Sequence, residues 1–342
     1  MRRIIGYVIL FFCLTGIQAA TQVVPLPDLI DPDAIKVDNR HIYITERGSI
    51  NIYSKIDFKL AAKFGKMGEG PKEFKINPAG VARLKIDIRG DTILVNSMNR
   101  VTFFTTAGKY LEEFQVNSGA YFKILGNRYA GYTTSMENKI VYADVNLYDS
   151  AFKKLKQIFR KEYYVQANKK FDLVKLGCGN AQRVVYSVYD EKIFVEGEKN
   201  NIRVFNKEGK EEYVIKLSYD RLKVSEDHKK EIMDDLYTLF TGQTMRRLIK
   251  EKGYFPEFFS VRHFKAADNK IFIPTHRKRD GKNEFVILDL KGTIEKKIYL
   301  PFKDRTLLLP YPYEIQGGKL YQLFDNEETG EWELHILHSI DG

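Results

Sequence analysis

Gly90-Asp91-Thr92-Ile93-Leu94-Val95-Asn96-Ser97-Met98-Asn99-Arg100-Val101-Thr102-Phe103-Phe104-Thr105-Thr106-Ala107-Gly108-Lys109-Tyr110-Leu111-Glu112-Glu113-Phe114 is the stretch whose reading decides the fold. Three runs rich in β-branched and aromatic residues, 92–96, 100–105 and 109–114, are separated by the turn formers Met98-Asn99 and Ala107-Gly108. Alternation of this kind between turn signals predicts three antiparallel strands joined by tight turns.

Copies of this unit recur along the chain. The first starts at Asp38-Asn39 and runs through 41–45, a turn at Arg47-Gly48, 50–53 and 58–64. The third has Gly126-Asn127, 129–133, Glu137-Asn138, 140–148 and 152–158; the fourth has Asp190-Glu191, 193–195, Asn200-Asn201, 202–205, Glu208-Gly209 and 212–217. The fifth has Asp268-Asn269, 271–273, Asp280-Gly281, 285–288, Gly292 and 294–300, and the sixth has Gly317-Gly318, 320–324, Thr329-Gly330 and 332–337. Each unit leaves room for one more strand ahead of its first turn, as at 80–86, 184–189 and 261–264. Four strands per unit, repeated about every 40–50 residues, is the pattern of a propeller blade. The expected fold is therefore all-β: a six-bladed β-propeller of four-stranded antiparallel blades. The sixth copy lacks its outer strand, which 21–26 can supply.

One segment changes period. Across 218–259, Ile232, Leu236, Leu239 and Phe240, and then Met245, Leu248 and Ile249, recur at helical spacing. Ser225 stands where a helix cap belongs and Gly253 where a helix would stop. Two short helices inserted between blades 4 and 5 are predicted, with Phe255-Pro256-Glu257-Phe258-Phe259 returning the chain to the ring.

Composition agrees with a strand-rich globular chain: 44% hydrophobic, with 21 Tyr and 23 Phe against a single Trp. Of the formal +10 charge, two units sit on Arg2 and Arg3; the excess favours anionic neighbours. Residues 1–20 have the order of a secretory signal: Arg2-Arg3, an apolar run over 4–14, then small and polar residues ending at Ala19-Ala20. Export to the periplasm or exterior follows, with 21–342 as a single propeller domain, a monomer with no membrane span once the leader is gone. Lipid anchoring at Cys13 is disfavoured by the bulky Phe12 before it. Cys178 is then the lone thiol of the mature chain.

The segment Lys63-Phe64-Gly65-Lys66-Met67-Gly68-Glu69-Gly70-Pro71-Lys72-Glu73-Phe74, followed by Asn77-Pro78-Ala79-Gly80-Val81, resembles the interblade signature of NHL-repeat propellers. It is similar in particular to the exported six-bladed propeller proteins of bacteria (NHL-repeat and TolB-like), a family largely without assigned activity. That resemblance implies the fold and says little about chemistry, since propellers host enzymes, receptors and scaffolds alike. Physically, Gly65, Gly68 and Gly70 free the backbone, Pro71 stiffens it and Phe74 can wedge between blades, while Lys66 and Lys72 could join backbone amides in cradling an anion.

Propeller connectivity divides the loops between two faces. The face carrying the middle turns, the links and the insert has the longer and more varied loops, so any site is expected there, near the channel mouth. The candidate ligand contacts are Lys66, Lys72 and Arg100, then Arg246 and Arg247 of the insert, then His276, Arg277 and Arg279 of blade 5. No catalytic residue can be named: the histidines form no tight zinc motif, no Gly-x-Ser-x-Gly occurs, and no cofactor is expected. The first functional expectation is a non-enzymatic binding module of the bacterial envelope or exterior, with an envelope protein or anionic glycan as partner and no nucleic acid. The alternatives are a metal-dependent lyase or lactonase, with Glu46, Asn96 and Asp325 available for a divalent ion, and a structural subunit of an envelope assembly.

Overall fold

The computed structural model describes residues 21–70, 72–75, 84–116, 121–162, 169–178, 184–197 and 200–340. Six four-stranded antiparallel sheets make six blades. Blade 1 comprises Pro32–Val37, His41–Glu46, Ser49–Ser54 and Leu60–Phe64; blade 2, Lys85–Arg89, Thr92–Ser97, Arg100–Thr105 and Tyr110–Gln115. Blade 3 comprises Tyr121–Leu125, Arg128–Glu137, Ile140–Tyr148 and Lys154–Glu162; blade 4, Tyr186–Tyr189, Lys192–Glu196, Asn201–Phe205 and Glu211–Lys216. Blade 5 comprises Lys265–Ala267, Lys270–Arg279, Lys282–Asp289 and Ile294–Leu300. Blade 6 has Tyr313–Gln316, Lys319–Asn326 and Glu331–Leu337, and Thr21–Leu26 supplies its outer strand, in register from Thr21 opposite Leu337 to Leu26 opposite Trp332. First strands of successive blades touch, and blade 6 returns to blade 1, so they surround a central channel.

Local sequence explains the hairpins. The first turns of blades 4, 5 and 6, at Asp190-Glu191, Asp268-Asn269 and Gly317-Gly318, hold both residues at positive φ. A two-residue hairpin loop needs that geometry to match strand twist, and Asp, Asn and Gly tolerate it best. Hydrophobic residues alternate to both faces of each sheet, so the core is six wedges between neighbours. Ile52, Ile93 and Phe104 fill the wedge of blades 1 and 2, while Phe103, Phe122 and Phe152 fill the next. Val145 with Val195, Ile202 with Val286, Phe272 with Ile315, and Leu323 with Ile44 continue the series around the ring.

The insert forms α2, Glu226–Leu239, and α3, Gln243–Lys252; α1, Leu173–Gly177, lies in the link between blades 3 and 4. Ser225 caps α2 reciprocally: its hydroxyl accepts the His228 amide at 3.2 Å and its own amide donates to His228 Nδ1 at 3.1 Å. Gly253 ends α3. The two inserted helices pack with other links rather than alone. Phe171–Asp172 pairs in parallel with Gly253–Tyr254, and Val174 and Leu176 pack with Ile232, Leu236 and Ile249 and with Leu307 and Leu308 from the link between blades 5 and 6. Three links thus build a small second core, a cap on the link-bearing face.

Two details differ from expectation. The first strand of blade 5 is Lys265–Ala267, one step beyond the predicted 261–264, and the second strand runs on to Arg279, so only Asp280-Gly281 turns. The expected leader with Cys13, along with Pro71 and Asn77 to Val81 of the glycine-rich link, falls outside the described residues. Among the described residues no helix is long and apolar enough to cross a membrane.

Candidate functional site

The glycine-rich link after blade 1 grips a carboxylate of its own. Glu73 accepts the Gly70 amide at 2.9 Å and pairs with Lys66 at 2.8 Å. The Phe74 amide donates to the Lys66 carbonyl at 2.8 Å, which turns the Phe74 ring inward to complete burial between blades 1 and 2. Gly65, at φ +83°, lies so near that a Cβ there would meet Phe74 Cε2 at 2.3 Å. Arg100 is buried and braces the same link, donating to the carbonyls of Glu69 at 2.8 Å and Gly70 at 3.2 Å while pairing with Glu113 at 3.4 Å. Lys72 sits at φ +66° with its ammonium 5.3 Å from the Tyr110 ring centroid. The link is a built wedge whose cationic and amide groups already have partners.

On blade 5, His276 is buried in a strand and stacked on Phe259 at 4.1 Å. Burial, with Arg262 nearby, pushes its pKa well below the ordinary histidine value, so it brings no charge. Arg277 donates to the Asp220 carbonyl at 3.3 Å, tying the hairpin to the insert. Arg279 lies over Tyr299 at 4.0 Å and keeps its outer face in solvent. Arg246 finishes α2 by donating to the carbonyls of Tyr237 at 2.7 Å and Phe240 at 3.0 Å. Arg247 and Lys250 are different: both are exposed, and neither has a carboxylate within 4.0 Å among the described residues. With Tyr237, Arg246 and Glu251 they line an open depression of about 640 Å³. The eight candidate residues are thus not one cluster. Lys66, Lys72 and Arg100 belong to the blade 1–2 link, and the rest to the cap and the blade 5 hairpin.

The channel holds a feature that reading the chain piece by piece missed. In blades 2 to 6 the residue three places before the first turn faces inward and is polar: Asp87, Lys123, Ser187, Lys265 and Glu314; Lys36 serves for blade 1. Each blade boundary is bridged at this level. Lys36 meets Asp87 at 3.7 Å and Glu314 at 3.0 Å, and Lys265 meets Glu314 at 2.8 Å. Asp87 accepts the Ile124 amide at 2.8 Å, Lys123 donates to the Tyr186 carbonyl at 2.8 Å, and Ser187 Oγ accepts the Ala266 amide at 3.2 Å. Burial alone would raise the Glu314 pKa, but Lys265 and Lys36 overcome it and hold the carboxyl at about 2. For Lys123 it is the charged form that is disfavoured: burial, reinforced by Lys36 and Lys265, brings its pKa down to about 7. The signal for this belt was present as a polar residue at fixed spacing from each first turn.

Two of the three residues suggested for a channel-mouth metal are otherwise engaged. Glu46 accepts the amides of Ile30 and Asp31, and Asn96 bonds the backbone of Lys85 and Phe122. Asp325 lies in a sheet opposite Trp332. Among the described residues no group of three His, Cys, Asp or Glu side chains comes together to hold a metal ion.

No family model and no curated protein matches the sequence. Among solved structures, the chain is similar to the β-propeller domain of Cps50 (Swd1) from Myceliophteria thermophila, at 9% identity over 93% of this chain and 99% of that one, with a TM-score of 0.46. It is similar also to a protein of unknown function from Bacteroides caccae (12% identity, 86% of each chain, TM-score 0.42) and to BamB from Moraxella catarrhalis (11% identity, 95% and 99%, TM-score 0.40). These likenesses are distant, and the six-bladed assignment rests on the strand pairing itself.

Proposed function

We propose that this chain is an exported, monomeric, non-enzymatic binding module of the bacterial envelope or exterior, which presents its cap-bearing face to an anionic glycan. The observation that carries this reading is the exposed pair Arg247 and Lys250 on α3, cationic groups without counter-charges among the described residues, beside an open depression. Of the other cations expected to meet a ligand, Lys66, Lys72, Arg100, Arg246 and Arg277 are held by carboxylates, rings or carbonyls. Cations of this kind attract a polyanion through long-range field and give salt-sensitive affinity. A signal-like leader over 1–20 supports an envelope location, where acidic polysaccharide is met and nucleic acid is not. The metal-dependent lyase or lactonase reading has less support, because Glu46 and Asn96 are committed to holding backbone.

The test is titration with polygalacturonate at low and physiological salt. Arg247→Glu/Lys250→Glu should lose at least tenfold in affinity. Lys59→Glu/Lys109→Glu, the same charge change on exposed turns of the opposite face, should lose less than twofold. Equal losses in both variants would reduce the effect to net charge, and no binding by the wild type would sink the glycan reading and leave an acidic envelope protein as the partner to seek.

A further inference from the structure

The belt around the channel is unbalanced. Three lysines, Lys36, Lys123 and Lys265, face two carboxylates, Asp87 and Glu314. Glu314 lies within ion-pair distance of Lys36 and Lys265, and Asp87 within that distance of Lys36. Lys123 has no carboxylate within 4.0 Å among the described residues. It has one carbonyl, that of Tyr186, and the Tyr186 ring 4.6 Å below its ammonium. The belt is only half-buried: Lys36 and Lys265 keep 30% and 24% of their side-chain surface, so solvent reaches this level of the channel.

A second observation points the same way. On the cap side of Lys265, Arg262 pairs through Nη1 with Asp304 at 2.8 Å while its Nη2 has no hydrogen-bond partner, and His263, which burial keeps uncharged, leaves Nε2 unpartnered with Nδ1 2.7 Å from the Tyr313 hydroxyl. Tyr313 lies also under Lys265, with 4.6 Å between ammonium and ring centroid, so the unpartnered His263 Nε2 adjoins the belt. Isolated charge in a low-dielectric interior is costly, and an anion relieves it. We propose that the channel binds one small oxyanion, a carboxylate or a phosphoryl group, against Lys123 at the level of the belt. This site is separate from the cap surface and does not depend on what that surface binds.

Binding and protonation are coupled there, since only the ammonium form of Lys123 holds an anion. The groups that face it are Lys36, Asp87, Tyr186, Lys265 and Glu314, of which the two lysines disfavour its charge and the two carboxylates support it. The experiment is NMR titration of protein labelled with 13C at lysine Cε, in chloride-free buffer, with the Lys123 signal assigned from Lys123→Arg. In the wild type that signal should titrate near pH 7, and saturating acetate should move its midpoint up by about one unit. Acetate keeps one charge from pH 6 to 8, so its affinity should fall roughly fivefold over that range as Lys123 loses its proton. Inorganic phosphate is the second arm: a shift with phosphate alone would identify a phosphoryl ligand. The exposed Lys109 serves as the internal control for general screening. If neither anion moves the Lys123 midpoint more than that of Lys109, the belt is purely structural and the proposal fails.

Discussion

Phe74→Ala tests how the glycine-rich link joins blade to blade. The ring is fully buried, with an edge-on contact to Phe104 at 5.8 Å between centroids and the backbone of Gly65 directly behind it. Truncation leaves a cavity whose walls are the two sheets of blades 1 and 2, which are pinned by the rest of the ring and cannot close in. The cost should therefore reach the usual range for a buried Phe, about 3–5 kcal/mol. With about 2.1 cal/mol/K of unfolding entropy per residue, a chain of 342 residues loses roughly 1.4 °C per kcal/mol, so Tm should fall by about 4–7 °C. Calorimetry and urea denaturation on the same variant check each other. Lys66→Ala is the matched control: it removes an exposed ion pair from the same link and should leave the melting temperature close to that of the wild type. A Phe74→Ala protein melting within about 1 °C of wild type would refute the wedge.

Three further outcomes follow from the buried charges. Glu314→Gln leaves Lys36 and Lys265 without their shared carboxylate and should cost about 3 kcal/mol at pH 7. Because the folded carboxyl titrates at about 2, below its unfolded value, the wild type keeps this advantage above pH 4 and loses it as pH falls toward 2, so urea midpoints of the two proteins should converge there. Lys123 contributes a penalty rather than a gain, with the same dependence on pH. Its folded pKa of about 7 lies below the unfolded value, so its burial penalty is present below pH 7 and fades as pH rises toward 10. Lys123→Met should stabilise the protein by on the order of 1–2 kcal/mol at pH 6, after allowance for solvent in the channel, and by much less at pH 10. Cys178 is the third case: burial pushes its thiol up to about 12, so in a Cys13→Ser background the native protein should react with a disulfide reagent far more slowly than the urea-unfolded chain.

Turn chemistry and alternation made most of the ring legible in the sequence. Asp190-Glu191, Asp268-Asn269 and Gly317-Gly318 sit where hairpins need positive φ, and Ser225 and Gly253 bound the inserted helices. First strands were harder to place, because one side of each lines the channel and carries polar residues. In blade 5 the strand Lys-Ala-Ala has neither β-branched residues nor hydrophobic alternation, whereas 261–264 offers the large apolar Val261 and Phe264. Helix α1 is only five residues, too short to show a period, and its fit to Leu236 and Leu308 is a tertiary fact. The candidate cations were legible as charges but not as partners. Only the fold shows that Arg100 holds carbonyls and His276 lies under Phe259, whereas Arg247 and Lys250 remain open to solvent.

Hydrogen exchange of the protein with and without saturating polygalacturonate tests most directly whether the cap-bearing face is the binding face. The account predicts added protection across Gln243–Lys252 and the Asp280-Gly281 turn, with the first-hairpin turns at Asp190-Glu191, Asp268-Asn269 and Gly317-Gly318 unchanged. Protection confined to those opposite turns would contradict it.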